Sequence, residues 1–332
     1  MGVATASLVL LAAAVLGGLA IGPTPIGTGR ILGDALSHLG LGHGTLSPLQ
    51  STIIWQLRAP RLVLGLLSGA MLAVAGGSYQ GVFRNPLADP YLLGVAAGAG
   101  LGATFAIVRA GAEATPSWTP LLAFAGALAA VGATWLLGGR ARHAAGSSLI
   151  LAGVAVSSLL TSAQTFLQQS STSSIARVYI WLLGSLASAS WHSVFIVLPY
   201  VVVSVLICLS AARALDVMSV GEDESRSLGL PVRRVRLLVI AASSLGTAAV
   251  VSVAGLIGFV GIIVPHLVRL LVGTSYRRIL PISVVGGAAF LVLCDTIART
   301  ALAPSELPIG VVTALVGAPV FVLVLNLRRR AR

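Results

Sequence analysis

The chain has 332 residues, of which 57% are hydrophobic and only 9% are charged. Soluble proteins carry roughly a quarter charged residues, so this composition excludes a soluble protein and indicates an integral membrane protein. All 21 basic residues are arginine, which excludes a lysine-dependent phosphate-binding loop and Schiff-base chemistry in this chain.

Ten apolar windows along the chain approach the length of about 20 residues that a membrane-crossing helix needs. They lie at 4–22, 62–83, 91–109, 117–138, 148–167, 193–212, 236–254, 256–273, 281–301 and 308–327. The first window lacks the positive flank of a cleaved signal peptide, so it is predicted to be a retained span. Residues 1–332 are therefore predicted to form one all-α transmembrane domain of about ten helices.

The positions of the arginines predict how these spans are oriented. With the N-terminus inside, fifteen arginines fall on the cytoplasmic side, as the positive-inside rule requires. The six on the outer side are Arg30, Arg58, Arg61, Arg109, Arg177 and Arg299. Both termini of a multi-pass protein of the cell (inner) membrane are thus predicted to be cytoplasmic. The net charge of +12 then requires no nucleic acid partner.

The connection between the first two windows, residues 23–57, contains the stretch IGTGRILGDAL, which is predicted to be a short interfacial helix. The stretch RAPR (58–61) follows at the outer start of the second span. Arg58 and Arg61 are three residues apart, so they share a face if the helix begins there. Their simplest interpretation is that of interfacial arginines whose side chains reach the membrane surface.

The second window ends in QGVFRNPLADP (80–90), where Pro86 and Pro90 are predicted to break the helix at the inner face. A broken helix at membrane depth is tolerated only where protein covers the backbone or where the backbone lines a cavity. The break therefore indicates a transport path. The glycines in GVAAGAGLGA (94–103), which follow it, are typical of helices packed backbone to backbone.

The largest cytoplasmic loop, residues 213–236, carries the signals of a short helix. Ser219 and Glu222 have the spacing of a capping box, and two more acidic residues follow in the first turn. Gly229 and Pro231 supply a stop signal. A helix at 220–228 on the cytoplasmic surface is predicted.

The stretch GFVGIIVPHLVRL (258–270) places His266 near the middle of a span, with Arg269 one turn nearer the inner face. One imidazole can bind a haem or a metal, but no second histidine is close in sequence. A structural role in contacts between helices is favoured. Cys208 and Cys294 lie in apolar stretches and indicate neither a disulfide nor a metal site.

Seven stretches occur in the order seen in one known family, from about residue 55 to residue 321. They are RAPR, GVFRNPLADPYLLGVAAGAGLGA, LILAGVAVSSLL, WLLGSL, GEDESRSLGL, GFVGIIVPHLVRLLVG and ELPIGVVTALVGAPVF. Together they resemble the iron-siderophore, haem and vitamin B12 (FecCD-type) permease family of type II ABC importers. The resemblance implies the type II importer permease fold and a second permease copy, expected to be the same chain. It also implies two subunits that bind ATP and Mg, a substrate-binding protein outside, and no cofactor on this chain.

The resemblance further implies roles for individual residues. The family's coupling helix, which fits a groove on the ATP-binding subunit, matches Glu222, Ser225, Leu228 and Gly229. The inner constriction of the path matches Asn85, Pro86 and Leu87, with Ser147 and Ser148 beside it. The outer arginines that pair with glutamates of the binding protein match Arg58, Arg61 and Arg299.

Two other classes of membrane protein remain as alternatives. A proton-coupled secondary transporter usually carries an acid deep in the membrane, and Asp295 is the most buried candidate. An intramembrane serine hydrolase is disfavoured, because no GxSxG motif occurs and His266 has no evident serine partner. The cargo stays open, with a ferric siderophore placed first, haem second and cobalamin third.

Overall fold

The computed structural model describes the backbone of residues 2–22, 24–38, 40, 44–111, 115–139 and 145–330, and the side chains of all of these except 145 and 324–330. Within these ranges every regular element is helical. Arg140, Arg142 and Arg332, three of the arginines assigned to the cytoplasmic side, lie outside the described residues.

The described residues form fifteen α-helices, together with a π-helical stretch at Ile53–Arg58 and a short 3-10 turn at Thr172–Ser174. The first eight are α1 (Gly2–Ala20), α2 (Thr28–His38), α3 (Pro48–Thr52), α4 (Ala59–Val82), α5 (Val95–Arg109), α6 (Thr119–Gly138), α7 (Ala145–Gln169) and α8 (Ile175–Leu182). The others are α9 (Trp191–Ser210), α10 (Ala212–Met218), α11 (Glu222–Ser227), α12 (Val232–Ala254), α13 (Val260–Val272), α14 (Tyr276–Ala298) and α15 (Ile309–Arg330).

Each of the ten predicted windows contains a helix. In the described part of the chain, seven helical runs are long and apolar enough to cross a membrane, and shorter apolar stretches in α5, α13 and α15 occupy the other three windows. The predicted interfacial helix is present as α2. The second span begins earlier than predicted, because α3, the π-helical stretch and α4 form one run of 35 residues, Pro48–Val82.

The helices α5 and α13 are shorter than their windows because irregular backbone precedes each of them. Turns replace helix at 83–94, and at 255–259 both Gly255 and Phe259 are left-handed, with φ of 70° and 69°. The Tyr91 hydroxyl donates to the Ile257 carbonyl at 3.0 Å and accepts the Ile257 N–H at 3.0 Å. The two breaks are thus joined, which satisfies backbone groups that lipid could not satisfy.

The helix α4 lies at the centre of the fold. In its most apolar window 83% of the residues are buried, compared with 22% for α7 at the periphery. A Cβ atom added to Gly69 would lie 2.1 Å from the Gly287 carbonyl oxygen, and one at Gly76 would lie 1.9 Å from that of Gly261. The central helix therefore packs backbone to backbone against α14 and α13.

The close packing around Gly69 leads to a prediction about the stability of the chain. Gly69→Ala should lower the thermal unfolding temperature of the purified chain, because overpacking against backbone costs about 1–3 kcal/mol or more. Gly132→Ala in α6 is the control, since nothing beyond the neighbouring turns of its own helix lies within 4 Å of an added Cβ there. The control should keep or raise the unfolding temperature, and equal unfolding temperatures for the two variants would contradict the close packing.

The predicted cytoplasmic helix is present, but it is shorter than 220–228 and it has no capping box. The helix α11 spans Glu222–Ser227 with Gly221 at its N-cap, and the Ser219 hydroxyl donates to the Asp216 carbonyl at 2.6 Å. The capping prediction was wrong because Ser219 ends α10, where a serine can bond to the carbonyl of the preceding turn.

The predicted stop of this helix is confirmed. Gly229 is left-handed, with φ of 79°. Its N–H donates to the Arg226 carbonyl at 2.9 Å, and the Leu230 N–H donates to the Ser225 carbonyl at 3.0 Å. This pair of bonds is a Schellman motif, in which glycine relieves the steric cost of the left-handed residue.

Candidate functional site

The helix α4 ends in a tight turn at the predicted path constriction. The Arg84 N–H donates to the Gly81 carbonyl at 3.3 Å, and the Asn85 N–H donates to the Gln80 carbonyl at 3.2 Å. These are the two bonds of a Schellman motif, with Arg84 at the left-handed position, φ 49°. Prolines further along the segment prevent the helix from resuming at once.

The turn after Arg84 is held by Asn85 and presents Leu87. The Asn85 side-chain oxygen accepts the Leu87 N–H at 2.9 Å, and its backbone carbonyl accepts the Ala88 N–H at 3.1 Å. Asn85 is half-buried, whereas Pro86 and Leu87 are exposed. Leu87 is thus an exposed apolar side chain on a hydrogen-bonded turn, and its role in a constriction stays a prediction.

Ser147 and Ser148 lie in the first turn of α7, next to the same connection. A Cβ atom at Gly138 would lie 2.7 Å from the Ser148 carbonyl, and one at Gly153 would lie 2.3 Å from the carbonyl of Leu92. The start of α7 thus packs on the end of α6 near Ser148, and α7 meets the irregular segment 83–94 at Leu92, through Gly153.

A stripe of hydroxyl groups on α7 was not singled out from the sequence. Ser158, Thr161, Ser162 and Thr165 are all exposed, although α7 has the length and hydropathy of a membrane span. The spacing of three and four residues puts them on one side of the helix, and this spacing is the signal that could have revealed them. The Ser162 and Thr165 hydroxyls donate to the Ser158 and Thr161 carbonyls of the same helix at 2.9 Å, and their oxygens can still accept hydrogen bonds from outside α7.

An ion pair of Glu222 ties α11, the helix predicted to couple to an ATP-binding subunit, to α12. One Glu222 oxygen lies 2.7 Å from Arg226, and the other lies 2.8 Å from Arg236 on α12. Burial alone would raise the pKa of Glu222, but the hydrogen bond and charge of Arg236 and the charges of Arg226 and Arg84 together hold this pKa below its ordinary value. Glu222 is therefore ionised at neutral pH.

Of the other residues predicted for coupling, Ser225 anchors α11 and Leu228 lies on its surface. Ser225 is buried, and its hydroxyl donates to the Val217 carbonyl at 2.9 Å and to that of Gly221. Leu228 is 72% exposed, directly before the Gly229 stop. The helix is thus tied down at Ser225 and presents an apolar tip at Leu228.

Arg61 belongs to a buried charge cluster at the predicted outer side. It contacts both Asp295 oxygens, at 2.9–3.0 Å, and it also lies 2.9 Å from Glu306. Arg299 is 3.7 Å from the same Asp295. Two guanidinium groups therefore share one buried carboxylate.

Arg58 and Arg299 are turned inward, which corrects the expectation that they face a partner outside. Arg58 donates to the carbonyls of Leu19 at 2.7 Å and Thr24 at 2.6 Å, and Arg299 donates to that of Gly18. Both side chains are buried. They satisfy the carbonyls at the C-terminal end of α1, where cations are favoured by the helix dipole. Of the three predicted docking arginines, only Arg61 contacts a half-exposed carboxylate.

His266 lies in a contact between two helices. It is buried in α13, with its ring centroid 6.0 Å from that of Phe321 on α15. Arg269 donates to the Gln80 side chain at 3.0 Å and lies over the Tyr276 ring, 5.1 Å from its centroid. Within the described residues, no group of three or more His, Cys, Asp and Glu could hold a metal ion.

Residues 9–327 match the model of the FecCD transport family. The chain belongs to the FecCD transport family. Among curated relatives, the cobalamin import system permease protein BtuC of Halobacterium salinarum is 39% identical, over 96% of this FecCD chain and 94% of the relative. The vitamin B12 import system permease protein BtuC of Escherichia coli is 40% identical, over 84% and 85% of the two chains.

A solved structure described as a metal-chelate type ABC transporter in an inward-facing conformation matches this FecCD chain with a TM-score of 0.86. It is 30% identical, and the match covers 98% of this chain and 99% of the other. The predicted fold class, an all-helical type II importer permease, is confirmed. The FecCD chain is a multi-pass membrane permease of the ABC importer class.

Proposed function

We propose that this FecCD chain is the permease half of an importer that carries a cobalamin-type metal chelate into the cytoplasm. The sequence placed a ferric siderophore first, but the BtuC relatives from Halobacterium salinarum and Escherichia coli are described as permeases of cobalamin or vitamin B12 import systems. Two permease copies would enclose the path, and two subunits that hold ATP and Mg would act from the cytoplasm. Both termini are proposed to be cytoplasmic, in the cell (inner) membrane.

The observation that best supports the proposed transport path is the exposed stripe of hydroxyl groups on α7. A second copy that packs near this helix would place the stripe around a water-filled path, with Leu87 and Ser147 at its inner end. No charged residue occurs between residues 145 and 169. A path with hydroxyl groups and without charge suits a large neutral or weakly charged chelate better than a bare metal ion.

Cargo is tested on the substrate-binding protein that is proposed to deliver it to this chain. Titration with cyanocobalamin, haemin and a ferric siderophore should give submicromolar binding, roughly −8 kcal/mol or stronger, for cyanocobalamin alone. Tight binding of the siderophore or of haemin instead would change the proposed cargo. It would leave the permease assignment intact, because that assignment rests on the family.

Because Arg58 and Arg299 are buried, Arg61 is the one of the three arginines that we propose to contact the substrate-binding protein. Glu306 holds this arginine from a half-exposed position, at 2.9 Å. If partner carboxylates compete for Arg61, Glu306→Gln should tighten docking of the binding protein by up to about fivefold, the range of one exposed ion pair.

Docking of the Glu306→Gln variant should also become more sensitive to salt, since charges at an interface rim act mainly on association. The affinity is measured with the permease complex fixed to a sensor surface and the binding protein in solution, at a series of salt concentrations. Unchanged or weaker docking would remove Arg61 from the interface.

The proton-coupled alternative depends on a carboxylate that can take up and release protons along a path. Asp295, the most buried acid in the predicted spans, is instead shared by Arg61 and Arg299. Guanidinium groups contact both oxygens of this carboxylate, as in a structural ion-pair cluster. This arrangement supports the ATP-driven importer over the proton-coupled transporter.

A further inference from the structure

Arg84 has a backbone conformation that glycine normally adopts. Within the described residues, only Arg84 and Phe259 combine a side chain with a positive φ. The chain ends α11 with the same Schellman motif, and there it uses Gly229. An arginine at the equivalent position of α4 is sterically less favourable, so a strained residue of this kind points to a use for its side chain.

The side chain of Arg84 shares a narrow cleft with the coupling helix. The cleft is lined by Val82, Arg84, Met218, Glu222, Val232 and Arg236. Its free space is about 10 Å³, which is near the minimum for one water molecule. Glu222 is the acidic residue of this cleft, and it lines the cleft together with the two arginines.

Glu222 is the carboxylate on which the three arginines around this cleft act. Glu222 already contacts Arg226 and Arg236, and the positive charge of Arg84 acts on the same carboxylate. Charges near a protein surface that is only partly solvated interact more strongly than charges in bulk water. Glu222 therefore electrostatically joins three segments, namely α11, α12 and the turn that follows α4.

We propose that Arg84 is a positioning residue that ties the turn Asn85–Leu87 to the coupling helix through Glu222. The inference rests on the proposed function, in which α11 follows the ATP-binding subunit and Leu87 closes the path. When α11 moves, the attraction between Glu222 and Arg84 draws the turn with it. Because Asn85 directly follows Arg84, the displacement reaches the constriction without passing through a whole span.

The test uses the permease assembled with its ATP-binding subunits in lipid nanodiscs. Cys208→Ala and Cys294→Ala remove the native thiols, and Leu87→Cys supplies a reporter for a water-soluble maleimide. Labelling rates are compared without nucleotide and with ATP plus vanadate. With Arg84 present, the two rates should differ by about tenfold, within the range of coupling between two sites.

Arg84→Gly should bring the ratio of the two rates close to one. Glycine suits the left-handed backbone, so this variant should fold and should still assemble with subunits that hydrolyse ATP. Arg84→Lys keeps the charge and should retain most of the ratio. Arg226→Ala, which removes an arginine next to Glu222 on α11 itself, is the matched control and should also retain the ratio.

The possible labelling results distinguish the role of Arg84 from the role of the constriction at Leu87. A wild-type ratio in Arg84→Gly overturns the role of Arg84. An equal loss in Arg84→Gly and Arg226→Ala also overturns it, because any arginine near Glu222 would then suffice. No nucleotide dependence at Leu87 with Arg84 present contradicts the proposed constriction itself.

Discussion

Leu228→Arg should abolish ATP-driven uptake and detach the ATP-binding subunits, while the transmembrane helices stay folded. Leu228 is 72% exposed at the end of α11 and needs a partner surface to cover it. An arginine buried without a counter-charge in that interface costs several kcal/mol, so affinity should fall by a factor of about 100 or more. Co-purification of the subunits and uptake into proteoliposomes measure the two losses.

The control for this variant is an equally exposed leucine far from the cytoplasmic surface. Leu49 is 71% exposed in α3, which the topology assigns to the outer side. Leu49→Arg should leave assembly with the ATP-binding subunits unchanged. If Leu228→Arg also assembles and transports like the wild type, α11 is not the coupling helix.

Asp295→Ala should produce the largest loss of stability among single changes at the outer charge cluster. The substitution would leave Arg61 and Arg299 without the carboxylate that they share. Removal of one partner from a buried ion pair typically costs about 3–5 kcal/mol. The thermal unfolding temperature of the purified chain in detergent measures this loss.

Glu306→Gln is the matched control, because it removes the other carboxylate of Arg61 from a half-exposed position. An exposed pair contributes about 0–1 kcal/mol, so this variant should unfold near the wild-type temperature. Equal unfolding temperatures for Asp295→Ala and Glu306→Gln would show that the buried cluster does not support the fold. Asp295 would then again be a candidate for proton transfer.

The sequence predicted most of the fold because hydropathy is a local property. Every window contained a helix, and the prolines at 86 and 90 correctly marked the break after α4. The shortened starts of α5 and α13 depend on tertiary contacts, such as the bonds between Tyr91 and Ile257, which are 166 residues apart. The average hydropathy of a sequence window carries no information about such a contact.

Only part of the site could be predicted, because some of its features depend on contacts between residues far apart in sequence. The break after α4 and the Gly229 stop are local signals, so both could be recognised from the sequence. The inward position of Arg299 depends on the carbonyl of Gly18, 281 residues away. Spacing alone placed Arg58 and Arg61 on one face, but their partners lie on different helices. The left-handed backbone of Arg84 is likewise visible only in the structure.

We propose that ATP hydrolysed by a partner, and not a proton gradient, drives import through this chain. The direct test is uptake of radiolabelled cyanocobalamin by proteoliposomes that contain the permease, its ATP-binding subunits and the binding protein. We expect uptake that requires ATP and both partners and that persists when an ionophore collapses the proton gradient. Uptake by the permease alone, driven by a proton gradient and indifferent to ATP, would contradict the account.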